Sequence, residues 1–294
     1  MGYDKFEKIK QNLIQLARDR EDIYAVIEFG SQARTKQKAD DYSDLDIMII
    51  TSKPDYYIGQ DEWLEHIGET RISFVEPTFA GGRERRILFS GNLDVDYVML
   101  TQEQCSSIFE DHFIDVIISR GYCILYDSIE LSERFDAIKS YGEQEKTKMS
   151  RMTEAEFTNR INDFWFHIVW ASKKLRRGEL WSAKMCIDSY LKKHLLSMME
   201  FYHISIHGAE YDVWHDGRFL DQWADEDVRA ELKDCFGHYS LESMEQALER
   251  TAVLFARLAK KSAYRNAYQY PITAQQYALE CVGRDCMVTN EKIQ

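Results

Sequence analysis

The 294-residue sequence lacks several features that would point to a membrane or to nucleic acid. No stretch approaches the roughly 18 consecutive apolar residues of a membrane-spanning helix. The opening MGYDKFEKIK has no apolar run of the kind that a signal peptide needs. Basic residues are in deficit, and the formal net charge of −13 lacks the basic footprint of a nucleic-acid binder. We therefore expect a cytoplasmic protein that binds neither membranes nor nucleic acid.

Close-spaced metal ligands are also missing. None of the six cysteines forms a CxxC pair, and His207, His215 and His238 show no metal-ligand spacing. Because structural zinc sites normally contain close pairs of ligands, such a site is only a remote alternative. The simplest interpretation is free thiols in a reducing compartment.

The first hundred residues combine one helical pattern with several strand patterns. Apolar residues recur at helical spacing from Phe6 to Ala17, which predicts an amphipathic helix. Segments rich in β-branched and aromatic residues follow, and Ser90-Gly91-Asn92 between the last two predicts a hairpin. The predicted strands are 23–29, 44–51, 71–75, 85–90 and 93–100.

Beyond about residue 105 the strand patterns fade and long helical patterns take over. Strands followed by helices indicate an α+β fold with a separate helical domain. We predict an α+β domain over 1–135 and an all-helical domain over 136–294. The charged segment 132–156 is the expected connection.

The residues with the clearest chemistry lie in EFGSQAR and DDYSDLDIMII. Gly30 and Ser31 follow a strand directly, where a tight turn leaves backbone N–H groups free to cradle phosphate. If a helix begins there, its N-terminus adds to the attraction. Asp44 and Asp46 are two residues apart in a predicted strand and so project from one face. Paired carboxylates of this kind suit Mg²⁺, which prefers oxygen ligands.

A further pair of acids occurs in LDVDYVML. Asp94 and Asp96 share one face of an otherwise apolar strand, where a buried carboxylate needs a partner or a metal ion. A neighbouring strand could bring one of them beside Asp44 and Asp46. Three carboxylates can hold two Mg²⁺ ions, one to activate an attacking hydroxyl and one to neutralise a triphosphate and its departing pyrophosphate.

This combination of a Gly-Ser turn, Asp-x-Asp and a later Asp resembles the nucleotidyltransferase superfamily that includes DNA polymerase β. Over nearly its whole length the chain is similar to the aminoglycoside 6-adenylyltransferase (streptomycin adenylyltransferase) family. Landmarks of the likeness are DEWLEHIG (61–68), LDVDYVML, HDGRFLDQW (215–223) and AYRNAYQYP (263–271). The resemblance implies that 1–135 form a polymerase-β-like catalytic domain with a mixed sheet and that 136–294 form a helical, substrate-binding domain. It also implies ATP as co-substrate, Mg²⁺ and an aminocyclitol antibiotic as acceptor.

The resemblance also assigns roles to individual residues. It places Gly30 and Ser31 on the β- and γ-phosphates, and Asp44, Asp46 and Asp96 on the metals, with Asp94 as the competitor for the third position. Arg34 and Lys184 are assigned to the phosphates. Family members that modify antibiotics carry an acid near the position of Met185, and here the nearest acid on that helix is Asp188. Asp188 lies on the same helix face as Lys184 and is therefore the candidate general base.

Two other features have competing interpretations. The aromatic residues of FWFHIVW (164–170) are typical of a core, with lining of the acceptor cleft as the alternative. The acids between Glu210 and Asp234 are a solvated face or a receptor for the cationic groups of an aminoglycoside.

The resulting hypothesis is transfer of AMP from ATP to a hydroxyl of a streptomycin-like aminoglycoside, with release of pyrophosphate. One alternative keeps the chemistry but has a lincosamide, another small metabolite or a protein hydroxyl as acceptor. The other alternative is a non-catalytic nucleotide-binding regulator. The sequence leaves the oligomeric state open.

Overall fold

The computed structural model describes residues 4–34, 36–78, 82–110, 115–135, 152–214 and 216–283. The chain divides into two compact units, residues 1–146 and 147–294. His215 and most of the predicted connection 132–156 lie outside the described residues. In the described ranges no helix is long and apolar enough to cross a membrane. The five cysteines described there are free thiols.

The first unit contains a six-stranded mixed sheet in the order β3-β4-β5-β2-β1-β6. Its strands are β1 (Ile23–Phe29), β2 (Leu45–Thr51), β3 (Thr70–Pro77), β4 (Arg83–Phe89), β5 (Leu93–Leu100) and β6 (Cys123–Asp127). Its helices are α1 (Glu7–Asp19), α2 (Gly30–Ala33), α3 (Pro54–Gly59), a 3₁₀ turn (Leu64–His66), α4 (Gln102–Glu110) and α5 (Asp115–Arg120).

The central pair of strands positions the acidic residues. β2 and β5 run parallel, and all other neighbours in the sheet are antiparallel. The predicted hairpin between β4 and β5 is confirmed, with Gly91 at φ +85° and Asn92 at φ +59°. Positive φ at both positions suits the tight turn that such a hairpin requires.

Both faces of the sheet bury apolar side chains. On one face, Val26, Ile47 and Tyr97 pack with apolar residues of α1 and α3. The opposite face carries Ile27 and Met48, which pack with residues from the α4–α5 region. Since side chains alternate along a strand, Asp46 and Asp96 lie on this second face, beyond its apolar part.

All the regular secondary structure among the described residues of the second unit is helical. Its helices are α6 (Glu154–Arg176), α7 (Leu180–Met185), a π-helical turn (Cys186–Tyr190), α8 (Leu191–His207), α9 (Leu220–Trp223), α10 (Glu226–Lys233), α11 (Leu241–Asn266) and α12 (Ile272–Val282). Phe164 of α6 stacks on Phe255 of α11 with ring centroids 3.6 Å apart, and both rings are fully buried. Trp165 is buried as well, whereas Phe166 is 66% exposed.

The α+β fold is confirmed by this arrangement, and the predicted strands correspond to β1 through β5. The expectation that strands end near residue 105 is wrong, because β6 pairs with β1 at an edge of the sheet. β6 has only five residues, and none of them is fully buried. A short, half-exposed strand produces little of the apolar alternation from which a strand is predicted.

Candidate active site

A tight turn at the end of β1 forms one side of the candidate site. β1 ends at Phe29, and Gly30 begins the short helix α2 with φ at +69°. A Cβ atom on residue 30 would come within 2.7 Å of the Asp46 Cγ atom. Glycine is needed here for two reasons, since both the backbone conformation and the close approach exclude a side chain.

Ser31 and Gln32 join this turn to Asp44. The buried Ser31 hydroxyl donates to the Asp44 carbonyl oxygen at 3.1 Å and lies 3.3 Å from Asp44 Oδ1. Gln32 Nε2 donates to the same carbonyl at 3.0 Å. Asp44 itself immediately precedes β2, which begins at Leu45, so the prediction that Asp44 lies within the strand is wrong by one residue. Asp44 is held in place by the side-chain hydrogen bonds from Ser31 and Gln32 of α2 and not by backbone hydrogen bonds of the sheet.

Three carboxylates converge beside this turn. Asp46 and Asp96 are direct partners in the parallel pairing of β2 with β5. Asp44, Asp46 and Asp96 each offer a carboxylate oxygen, and these three oxygens lie within 4.8 Å of one another. Asp96 is only 4% exposed, so its charge requires compensation.

Part of that compensation comes from Arg86 on β4, the cross-strand partner of Asp96. Arg86 Nε donates to Asp96 Oδ2 at 2.8 Å, and Nη2 contacts the same oxygen. The other oxygen, Asp96 Oδ1, is buried and accepts no hydrogen bond from the described residues.

The negative charge of the three carboxylates contributes to raised pKa values of two neighbouring acids, Asp94 and Glu84. Burial raises the pKa of Asp94, and the charges of Asp96 and Asp44 raise it further. Burial, a hydrogen bond with Glu76 and the charge of Asp96 raise the pKa of Glu84 to about 7. Asp94 lies outside the converging group. The geometry therefore places Asp96, rather than Asp94, beside Asp44 and Asp46.

These residues fit a divalent cation with oxygen ligands. The donor set consists of carboxylates, which suit Mg²⁺. The unsatisfied Asp96 Oδ1 supplies a buried acceptor for a cation, and Gly30 leaves room for the carboxylate of Asp46. The turn at Gly30 and Ser31 lies directly against the acids, as a site for both a metal and phosphates requires.

Lys184 and Asp188 lie in the second unit and interact with each other. Lys184 Nζ forms an ion pair with Asp188 Oδ2 and donates to the carbonyl oxygen of Gly237. Asp188 belongs to the π-helical turn, and its Oδ1 is buried without a hydrogen-bond partner among the described residues. π-Helical turns often occur at functional sites. The predicted roles of both residues stay predictions.

The acids between Glu210 and Asp234 partly serve the second unit itself. Asp227 and Glu231 pair with Arg257 of α11 at 3.0 and 2.7 Å. The backbone N–H of Asp225 donates to His203 Nε2 at 2.9 Å. The pairs with Arg257 give the carboxylates of Asp227 and Glu231 a structural partner without the need for a cationic ligand.

The remaining site residues divide into one that was predicted and three that were missed. Arg34 directly follows α2, and its phosphate role stays a prediction. Gln32, Glu84 and Arg86 were not recognised from the sequence. The predicted hairpin could have identified Arg86. In a hairpin that turns at residues 90–92, Arg86 and Asp96 are at equal distances from the turn and therefore pair across the two strands.

Comparison with known proteins relates this chain to a family. A family model described as streptomycin adenylyltransferase matches residues 5–282. The chain belongs to the streptomycin adenylyltransferase family. Members of the streptomycin adenylyltransferase family are nucleotidyltransferases, and the prediction of a nucleotidyltransferase is confirmed at this level.

Relatives within the family are distant but cover most of the chain. An aminoglycoside 6-adenylyltransferase from Campylobacter jejuni is 22% identical over 250 residues, which is 83% of each chain. One from Bacillus subtilis (strain 168) is 22% identical over 251 residues, or 82% of this chain and 84% of the relative. A crystal structure of an aminoglycoside 6-adenyltransferase from Bacillus subtilis is 17% identical, with a TM-score of 0.44, and covers 97% of this chain and all of that one.

Proposed function

We propose that the protein transfers AMP from ATP to a hydroxyl of an aminoglycoside and releases pyrophosphate, with Mg²⁺ as the metal. The observation that carries this proposal is the convergence of Asp44, Asp46 and Asp96 within 4.8 Å beside the Gly30–Ser31 turn. A nucleotidyl transfer brings a polyanionic triphosphate to the enzyme. A metal-binding group of acids next to a phosphate-binding turn meets that requirement.

The chain's own residues divide the work of binding and positioning. Asp44, Asp46 and Asp96 would hold Mg²⁺, which neutralises triphosphate charge and favours an in-line displacement at the α-phosphorus. Gly30 and Ser31 would hold the β- and γ-phosphates through backbone N–H groups and the serine hydroxyl. Arg34 and Lys184 would contribute positive charge, and Asp188 would accept the proton of the acceptor hydroxyl.

Two lines of support favour an aminoglycoside as the acceptor. The relatives from Campylobacter jejuni and Bacillus subtilis are both named aminoglycoside 6-adenylyltransferases, and they match over more than four-fifths of the chain. The net charge of −13 also attracts a polycationic molecule at long range. Streptomycin is the first acceptor to test because the family model carries its name.

The test is incubation of the protein with MgATP and a panel of aminoglycosides, streptomycin first. Mass spectrometry detects an adenylylated product, and a coupled assay measures pyrophosphate. We expect one adenylyl group on streptomycin, at the 6-position. Asp44→Asn should abolish both products, whereas Asp19→Asn, a change at an exposed aspartate on α1, should leave them unchanged.

The results separate the parts of the proposal. Turnover by Asp44→Asn at the wild-type rate would refute the metal assignment. Adenylyl transfer to another small molecule or to protein, with every aminoglycoside untouched, would refute the acceptor and keep the chemistry. Mg²⁺-dependent ATP binding with no transfer to any acceptor would instead indicate a nucleotide-binding regulator.

A further inference from the structure

Arg86 connects the group formed by Asp44, Asp46 and Asp96 to two further acids, Glu76 and Glu84. Its Nη1 lies 3.1 Å from Glu76 Oε1 on β3, and its Nε lies 3.8 Å from Glu84 Oε1 on β4. The same guanidinium donates to Asp96 Oδ2 through Nε at 2.8 Å and through Nη2. The planar guanidinium is therefore held from two sides, and its orientation is fixed.

This arrangement leaves the two oxygens of Asp96 in different states. Oδ2 receives both donors from Arg86, while Oδ1 is buried and receives no hydrogen bond from any described residue. Because Asp46 is the direct cross-strand neighbour of Asp96 on the side opposite to Arg86, the carboxylate lies between the arginine and the other two acids. One oxygen is thus committed to the protein and the other is left for a cation.

From its charge alone, Arg86 would be expected to weaken metal binding. A positive group in contact with a metal ligand repels a metal ion, so its removal should strengthen metal binding if electrostatics dominated. A group that fixes the orientation of a ligand has the reverse effect, since loss of an outer partner typically weakens metal binding 10- to 100-fold. The direction of the change on mutation therefore distinguishes the two roles.

We propose that Arg86 is a positioning residue, which holds Asp96 by one oxygen so that the other faces the cation bound by Asp44 and Asp46. The proposal rests on the metal site of the proposed function. Glu76 holds Arg86 through Nη1, on the side away from Asp96, and Glu84 lies 3.8 Å from Nε, so the metal ligand, the arginine and the two glutamates form one chain across β3, β4 and β5.

The experiment measures Mn²⁺ affinity of the full chain by electron paramagnetic resonance, without nucleotide or acceptor, for wild type and three variants. Arg86→Gln should weaken Mn²⁺ binding by about tenfold or more. Arg86→Lys, which keeps the charge but cannot place two donors on one oxygen, should restore only part of the affinity. Arg83→Gln is the matched control, because Arg83 also lies on β4 but pairs with exposed Asp55 and should bind Mn²⁺ like wild type.

A second measurement separates metal positioning from direct contact with the nucleotide. At saturating Mg²⁺, Arg86→Gln should lower kcat while KM for ATP changes by less than about twofold. Unchanged or tighter Mn²⁺ binding by Arg86→Gln would overturn the proposal, as would full rescue by lysine. If Arg86→Gln fails to fold, Arg86→Lys decides alone, and wild-type affinity in that variant overturns the proposal. Absence of Mn²⁺ binding by the wild type would refute the metal site, and this inference with it.

Discussion

The side chain of Asp46 occupies the space in which a side chain on residue 30 would lie, so residue 30 must be glycine. The carboxylate of Asp46 lies so close to the Gly30 Cα that a Cβ on residue 30 would approach Asp46 Cγ to 2.7 Å. Gly30 also has a φ of +69°, which other residues rarely adopt. The turn that we assign to phosphate binding and the acid that we assign to metal binding thus depend on each other's position.

We expect Gly30→Ala to displace Asp46 and lower kcat/KM by on the order of 100-fold, since a shift of about 1 Å in a reacting group costs this much. The measurement is steady-state kinetics of adenylyl transfer, together with Mn²⁺ titration of the protein. Gly59→Ala is the control, because a Cβ there meets no atom within 4 Å. Equal activity of the two variants would contradict the dependence of the Asp46 position on glycine at residue 30.

Ser31 and Gln32 allow two contributions to be separated. Both side chains donate to the Asp44 carbonyl oxygen, but in our proposal only Ser31 also binds phosphate. We expect Ser31→Ala to raise KM for ATP by about tenfold, the effect of one lost hydrogen bond to a charged group, and Gln32→Ala to raise it much less. Kinetics over a range of ATP concentrations test this, and equal losses would show that Ser31 only tethers Asp44.

Glu200 on α8 should make stability depend on pH. Burial raises the pKa of its carboxyl to about 7, the charge of Asp216 adds to this increase, and Arg160 opposes it. Between the ordinary value of 4.5 and about 7, the folded chain holds a proton that the unfolded chain has released. The free energy of unfolding should therefore fall as pH rises through this window, by about 1 kcal/mol per pH unit at most.

Urea unfolding at about pH 5 and about pH 7.5 tests this dependence. Glu200→Gln carries no titrating proton at this position and should gain stability over wild type at the higher pH. Glu242→Gln, at an exposed position on α11, should follow the wild-type pH profile. A Glu200→Gln variant that keeps the full pH dependence would contradict the assignment.

Phe164 and Phe166 test how the aromatic run divides between core and surface. Phe164 is fully buried against Phe255, so Phe164→Ala should lower the free energy of unfolding by about 3 to 5 kcal/mol. Phe166 is 66% exposed, and Phe166→Ala should change it by less than about 0.5 kcal/mol. Chemical denaturation of both variants is the measurement, and similar losses would place Phe166 in a packed environment.

Local signals in the sequence determined much of the first unit. Richness in β-branched and aromatic residues predicted β1 and β5 with the bounds that the structure has, because such side chains suit a pleated, buried surface. The Gly91-Asn92 turn predicted the β4–β5 hairpin, since those residues tolerate positive φ. Gly30 and Ser31 were recognised from the tight turn after a strand, and Asp44 and Asp46 as paired carboxylates on one strand face. Asp94 and Asp96 were recognised because charged residues in an apolar strand need compensation.

Long-range pairing decided what the sequence left open. Only the parallel register of β2 with β5 places Asp96 rather than Asp94 opposite Asp46, because a strand's neighbours are set by tertiary packing and not by its own residues. The contacts of Arg86 with Asp96 and with Glu76 require three adjacent strands, β3, β4 and β5. The sequences of β3 and β4, taken separately, predict strands but no functional residues. The sequence thus determined which residues carry the charge, and the packing of the sheet decided which of them meet.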